Sequence, residues 1–131
     1  MRNEWLDRDL LRSPVYFTLC TNAAQFHAEL RSMKVPRDTW PNFLTTARAD
    51  ATAHFFNNPA KDVCCIVCIH PDKDRDQIEI AGLLVHEAVH IWQETRDLIG
   101  ERNPSPEFEA YAVQSISQRL MWEYRRQVFG S

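Results

Sequence analysis

No stretch of this chain approaches the ~18 consecutive apolar residues of a membrane-spanning helix. The first residues, Met1-Arg-Asn-Glu-Trp-Leu-Asp-Arg-Asp, are charged and lack the apolar centre of a secretory signal. Both absences point to a soluble chain that stays where it is made, the cytoplasm. There is no basic stripe either. Net charge is -3 with a pI near 5.9, and lysines and arginines are scattered among acids, which argues against nucleic acid or an anionic membrane as partner. Only three of the 131 residues are glycine, and no internal repeat or low-complexity linker interrupts the chain. With 44% apolar and 25% charged residues, residues 1–131 have the length and balance of one globular domain with a modest core.

Cysteine is present but poorly distributed for disulfides. Three of the four (Cys64, Cys65, Cys68) crowd into one apolar run, with Cys20 alone upstream. In an unexported chain these are expected to be reduced core residues. Cys65-x-x-Cys68 followed by His70 has the spacing of a zinc site. In a strand, however, those two thiols face opposite ways, and Val-Cys-Cys-Ile-Val-Cys-Ile reads as extended, so packing is the favoured reading.

The element pattern runs as follows. Val15 to Cys20, opened by Ser13-Pro14, is rich in β-formers and is either a strand or an extended lead-in. Thr21 or Asn22 caps a helix through Met33, with Phe26, Leu30 and Met33 at helical spacing. A second helical piece is predicted over Phe43 to Arg48. Residues 51–56 and 63–70, separated by the Asn57-Asn58-Pro59 turn signal, form a predicted β-hairpin. Asp74 or Asp76 then caps a long helix ending near Leu98-Ile99 with Gly100 after it. Its predicted apolar stripe is Val85, Ala88, Val89, Trp92 and Ile99. Ser105-Pro106 starts a last helix to about Val128. The fold class is therefore α+β: N-terminal helices, a small antiparallel sheet or hairpin, then two long helices. Trp5, Trp40, Trp92 and Trp122 are read as core or interface anchors.

One pentapeptide names a chemistry. His86-Glu87-Ala88-Val89-His90 fits the HExxH pattern, in which two imidazoles one helical turn apart can reach one cation and the intervening carboxylate flanks it as a base. Catalytic zinc normally takes three protein ligands, so a third is needed. Glu94, Asp97, Glu101, Glu107, Glu109 and Glu123 are candidates. Glu94 and Asp97 lie on the same helix, where the rise carries them away. Glu107 falls on a polar row with Tyr111, Gln114 and Gln118 and suits the helix dipole. Glu109 heads the apolar row Val113, Ile116, Leu120, where a carboxylate needs a partner. Helical phase thus favours Glu109. A di-iron bundle would require a second Glu-x-x-His, which the chain lacks.

This layout resembles the zincin metallopeptidases, and among them the gluzincins, whose third ligand is a glutamate on the helix after HExxH. The matching residues are His86 to His90 and Glu109-Ala110-Tyr111-Ala112. Leu83-Leu84-Val85 and the Gly100…Pro104-Ser105-Pro106 turn also look like small zincin-like proteins of bacteriophages. The likeness covers roughly 78–124, and there is no second lobe. It implies a minimal zincin-like fold and a Zn2+ cofactor held by His86, His90 and Glu109. It further implies Glu87 as general base, a peptide or protein substrate, and a strand edge beside the metal, for which the hairpin strand Val63 to His70 is the candidate. His54, His70 and Tyr111 are oxyanion candidates by residue type, Tyr111 on the wrong helical face. The alternative is a zincin-fold binding or regulatory module without turnover; cell-wall peptide bonds are a further substrate class. Oligomeric state is not readable.

Overall fold

The computed structural model describes residues 13–46 and 48–130. Among these the order is β1 (Val15–Cys20), α1 (Ala23–Ser32), a 3-10 turn (Arg37–Thr39), β2 (Ala51–Asn57), β3 (Val63–Ile69), α2 (Gln77–Leu98) and α3 (Pro106–Phe129). The arrangement is α+β. Trp5 lies outside the described residues. No helix among them is long and apolar enough to cross a membrane.

The sheet order is β1-β3-β2. β2 and β3 form the expected antiparallel hairpin, with Ala53 opposite Val67 and Phe55 opposite Cys65. The sheet as a whole is mixed, however, because β1 joins β3 in parallel, Val15 opposite Val63 and Cys20 opposite Cys68. A parallel pair needs a long crossover, which α1 and β2 provide. β3 is thus the central strand and has no free edge. This corrects the expectation that Val63 to His70 offers an edge: the open strand nearest the motif helix is β2.

β3 is apolar throughout because both its faces are covered. Cys65, Val67 and Ile69 join Val15, Leu19, Ile80, Leu84, Ala88, Ile91 and Leu120 beneath α2 and α3. Ile66 and Cys68 join Cys20, Phe26 and Leu30 beneath α1. All four cysteines are free, and Cys65 and Cys68 lie in different clusters, as alternation in a strand demands.

The predicted helix over Phe43 to Arg48 does not form. Its backbone is taken instead by β2 side chains: the Thr45 N–H donates to Thr52 Oγ1 at 3.0 Å, and the Phe43 carbonyl meets His54 Nε2 at 2.9 Å. The longer helices start where the caps place them. Asn22 Oδ1 accepts from the Gln25 N–H, Asp76 Oδ1 from Ile78, and Ser105 Oγ from Phe108. Gly100, at φ 71°, supplies the left-handed residue that ends α2, and the Glu101 N–H closes the motif on the Arg96 carbonyl.

The buried face of α2 is Ile80, Leu84, Glu87, Ala88, Ile91, Trp92 and Thr95. Val85 and Ile99 are exposed, at 37% and 47%. The face is therefore rotated from the expected stripe, because α2 rests on both the sheet and α3 and so buries a wider sector than one neighbour would. α3 closes the structure. Gln127 donates to the Leu19 carbonyl at the end of β1, and Tyr124 Oη accepts from the Asp72 N–H ahead of α2. Trp122 and Phe129 on α3 remain exposed.

Candidate metal centre

Helical geometry sets the site. His86 and His90 are one turn apart on the outer side of α2, and both are exposed. Their Nε2 atoms converge to 3.2 Å, with ring planes at 77°. Glu87 follows His86 by one residue, a step of about 100° around the helix, which turns it toward the sheet. It is 5% exposed. Its carboxyl lies against the backbone amide of Ala53 on β2. Burial raises its proton affinity above that of an ordinary glutamate; the two imidazoles, and to a smaller degree the Ala53 amide, pull it back. Glu87 is thus a buried residue and not a surface one.

The histidine pair fits zinc. Two nitrogens each about 2.0–2.1 Å from one tetrahedral ion stand about 3.3 Å apart, and the observed 3.2 Å matches that spacing. The same separation suits a hydrogen bond from one neutral ring to the other. In the second case one Nε2 carries the proton and the other accepts it, and loss of that proton would free both nitrogens for a cation.

The third ligand is a different matter. Glu109 is half-buried at the head of α3, as helical phase requires. Its Oε2 accepts from Trp92 Nε1 at 2.7 Å and stands 3.8 Å from the Arg96 guanidinium. The partner that an inward carboxylate needs is thus supplied by α2 itself. Among the described residues no group of three or more His, Cys, Asp and Glu side chains is gathered closely enough to hold an ion. The structure brings His86 and His90 together, sets Glu87 within electrostatic reach of both, and leaves Glu109 beside Trp92. Of the other acids, Glu94 is half-buried and, with Glu87, contributes to the raised thiol pKa of Cys65. Asp97 lies 3.9 Å from Arg96, Glu101 and Glu107 are exposed, and Glu123 is held by Arg126 and Gln127.

The residues named as oxyanion candidates sit elsewhere. His54 is on the α1 side of the sheet, stacked on Phe26 at 4.8 Å, and burial lowers its pKa. His70 tilts against Phe43 at 5.0 Å. Tyr111 is 65% exposed. None of the three hydrogen-bonds or stacks with the histidine pair among the described residues. The cysteines are packing residues: burial raises the Cys20 thiol to about 11 and pushes Cys65 and Cys68 higher still. Two contributors escape sequence reasoning. The Ala53 amide carries no side-chain signal at all. Trp92 carries one, since a buried indole N–H requires an acceptor.

Comparison with protein-family models, with curated proteins and with solved structures finds no match.

Proposed function

We propose that this chain is a zinc-dependent hydrolase of zincin type, a metallopeptidase acting on a peptide or protein. The observation that carries the proposal is the convergence of the His86 and His90 Nε2 atoms at 3.2 Å beside the buried Glu87 carboxyl. His86 and His90 would hold the metal, with Glu109 completing the set. Zinc, when bound, supplies an acidified water and polarises the carbonyl under attack. Glu87 then acts on protons alone. Its desolvated carboxylate would accept one from the attacking water and later return it to the leaving amine. The open edge of β2, one of whose amides already faces Glu87, is suited to pair with an extended peptide and so bring a scissile bond to the base.

A second reading, a zincin-fold binding or regulatory module without turnover, draws on one observation: Glu109 is engaged by Trp92 and Arg96 rather than by the histidines. Elemental analysis, with Glu87→Gln and His86→Ala, separates the two. Catalysis predicts that Glu87→Gln retains zinc and loses about 10²–10⁴ in hydrolytic rate, whereas His86→Ala loses both. Wild-type protein that binds zinc and cleaves nothing in a broad peptide library favours the module. Wild-type protein that takes up no zinc ends both readings.

A further inference from the structure

We infer that His86 and His90 are half of a zinc site that a second copy of this chain completes, one ion held by imidazoles of both copies across a two-fold axis. The inference rests on the reading of the histidine pair as a zinc site and needs neither Glu109 nor turnover. A structural zinc takes four protein donors in tetrahedral array. Among the described residues no third His, Cys, Asp or Glu is gathered with the pair closely enough to join it. The acid favoured by helical phase is committed elsewhere: Glu109 Oε2 accepts from Trp92 Nε1 at 2.7 Å and stands 3.8 Å from Arg96. Completing the set within one chain would draw that carboxylate away and leave the indole N–H, on a residue only 3% exposed, without its acceptor. A second copy completes the set with no contact of the fold displaced.

Symmetry supplies the remaining donors. Identical chains assemble most often about a two-fold axis, and a point on that axis meets the same residues from both copies. The spacing is right as well. Nitrogens about 2.0–2.1 Å from a tetrahedral ion stand about 3.3 Å apart, against 3.2 Å here, so each chain supplies one edge of the tetrahedron. Both rings are exposed on the outer side of α2, where another molecule can reach them. One turn before His86 is Gly82, with no atom within 4 Å of where a side chain would begin, so the ground beside the pair is open. Charge agrees with this. From Gln77 to Thr95 α2 carries no lysine or arginine, and the buried Glu87 carboxyl lies within electrostatic reach of both imidazoles. Two chains of net charge -3 repel each other without the ion, so association is expected to depend on zinc. An ion with four protein nitrogens has no position left for water, which is the closed coordination of a structural site and suits the binding-module reading.

The test is sedimentation equilibrium of the full chain, in chelator and then with zinc alone as ligand, with bound zinc counted per chain. In chelator the chain is expected at its own 15.3 kDa. With zinc the mass should double, with one ion for each pair of chains, and apparent zinc affinity should rise with protein concentration. X-ray absorption at the zinc edge should find only nitrogen donors, at about 2.0–2.1 Å. These three readouts need no variant. His86→Ala should keep the single-chain mass in zinc, and Glu109→Gln should dimerise as wild type does. A single-chain mass with one zinc per chain overturns the inference and leaves the hydrolase reading standing. A dimer that persists in chelator or in His86→Ala does not depend on the ion and overturns it too. So does failure of Glu109→Gln to dimerise, which returns that acid to the ligand set. Protein that takes up no zinc ends this inference and the hydrolase reading together.

Discussion

The two faces of the sheet treat histidine in opposite ways. On the α1 side His54 is absorbed into the core: stacked on Phe26, close to Phe56, and hydrogen-bonded to the Phe43 carbonyl. On the α2 side His86 and His90 stand exposed, pack against each other and share no bond with the sheet. A histidine whose ring is stacked on core aromatics and whose nitrogen meets a backbone carbonyl is accounted for by folding. A pair whose nitrogens converge outside the core is not, and it is on that contrast, more than on residue type, that the proposed site rests. The acid follows the same rule: Glu87 is buried where an apolar side chain would serve stability better.

The largest effect that tests this division is on the α1 side. Phe26 is fully buried and central to the aromatic cluster of Phe43, His54 and Phe56. Phe26→Ala should cost about 3–5 kcal/mol in urea denaturation. If the faces are independent, the folded fraction of the variant should bind zinc with wild-type affinity. A loss of affinity in that fraction would show that α1 supports the site through β2.

His54 gives the next effect, read through pH. Burial lowers its pKa below the ordinary 6.5, so in the folded chain it takes up a proton at lower pH than it does when unfolded. The unfolded state then binds more protons in that window. His54 therefore contributes stability that is fully present above pH 6.5 and declines as pH falls from there through the folded-state value. In His54→Gln, which keeps a donor toward Phe43, the stability profile from pH 7.5 to 5 should be flatter than in wild type. Equal slopes would mean that His54 charges freely and that the α1 face is looser than its contacts imply.

Local chemistry was readable where it is punctuated by local rules. Asn22, Asp76 and Ser105 cap α1, α2 and α3, and Gly100 ends α2, because a cap is satisfied within a few residues of itself. The parallel pairing of β1 with β3 depends on residues far apart in sequence and leaves no periodic trace. The orientation of α2 was misjudged for a related reason: Val85 and Ile99 fit an apolar stripe, but the sheet and α3 together select Leu84, Glu87 and Ile91. At the site, the spacing of His86 and His90 was legible because one helix fixes it. The inward turn of Glu109 was legible too, from its row with Leu120. What holds it was not, since a carboxylate can be satisfied by a metal, an indole or a guanidinium, and helical phase does not distinguish them.

The smallest effect sharpens the comparison most. His86 and His90 are exposed and among the described residues bond only to each other, so His86→Ala should change metal-free stability by no more than about 0.5 kcal/mol, the range of ordinary surface substitutions. Adding zinc should then separate the proteins. A ligand that binds only the folded state at a hundred times its dissociation constant stabilises by about 2.7 kcal/mol, so wild type should melt higher with zinc and His86→Ala should not. His54→Gln provides the control, expected to shift with zinc as wild type does. Were His86→Ala to lose several kcal/mol without metal, the pair would belong to the core as His54 does, and exposure would no longer mark the functional face.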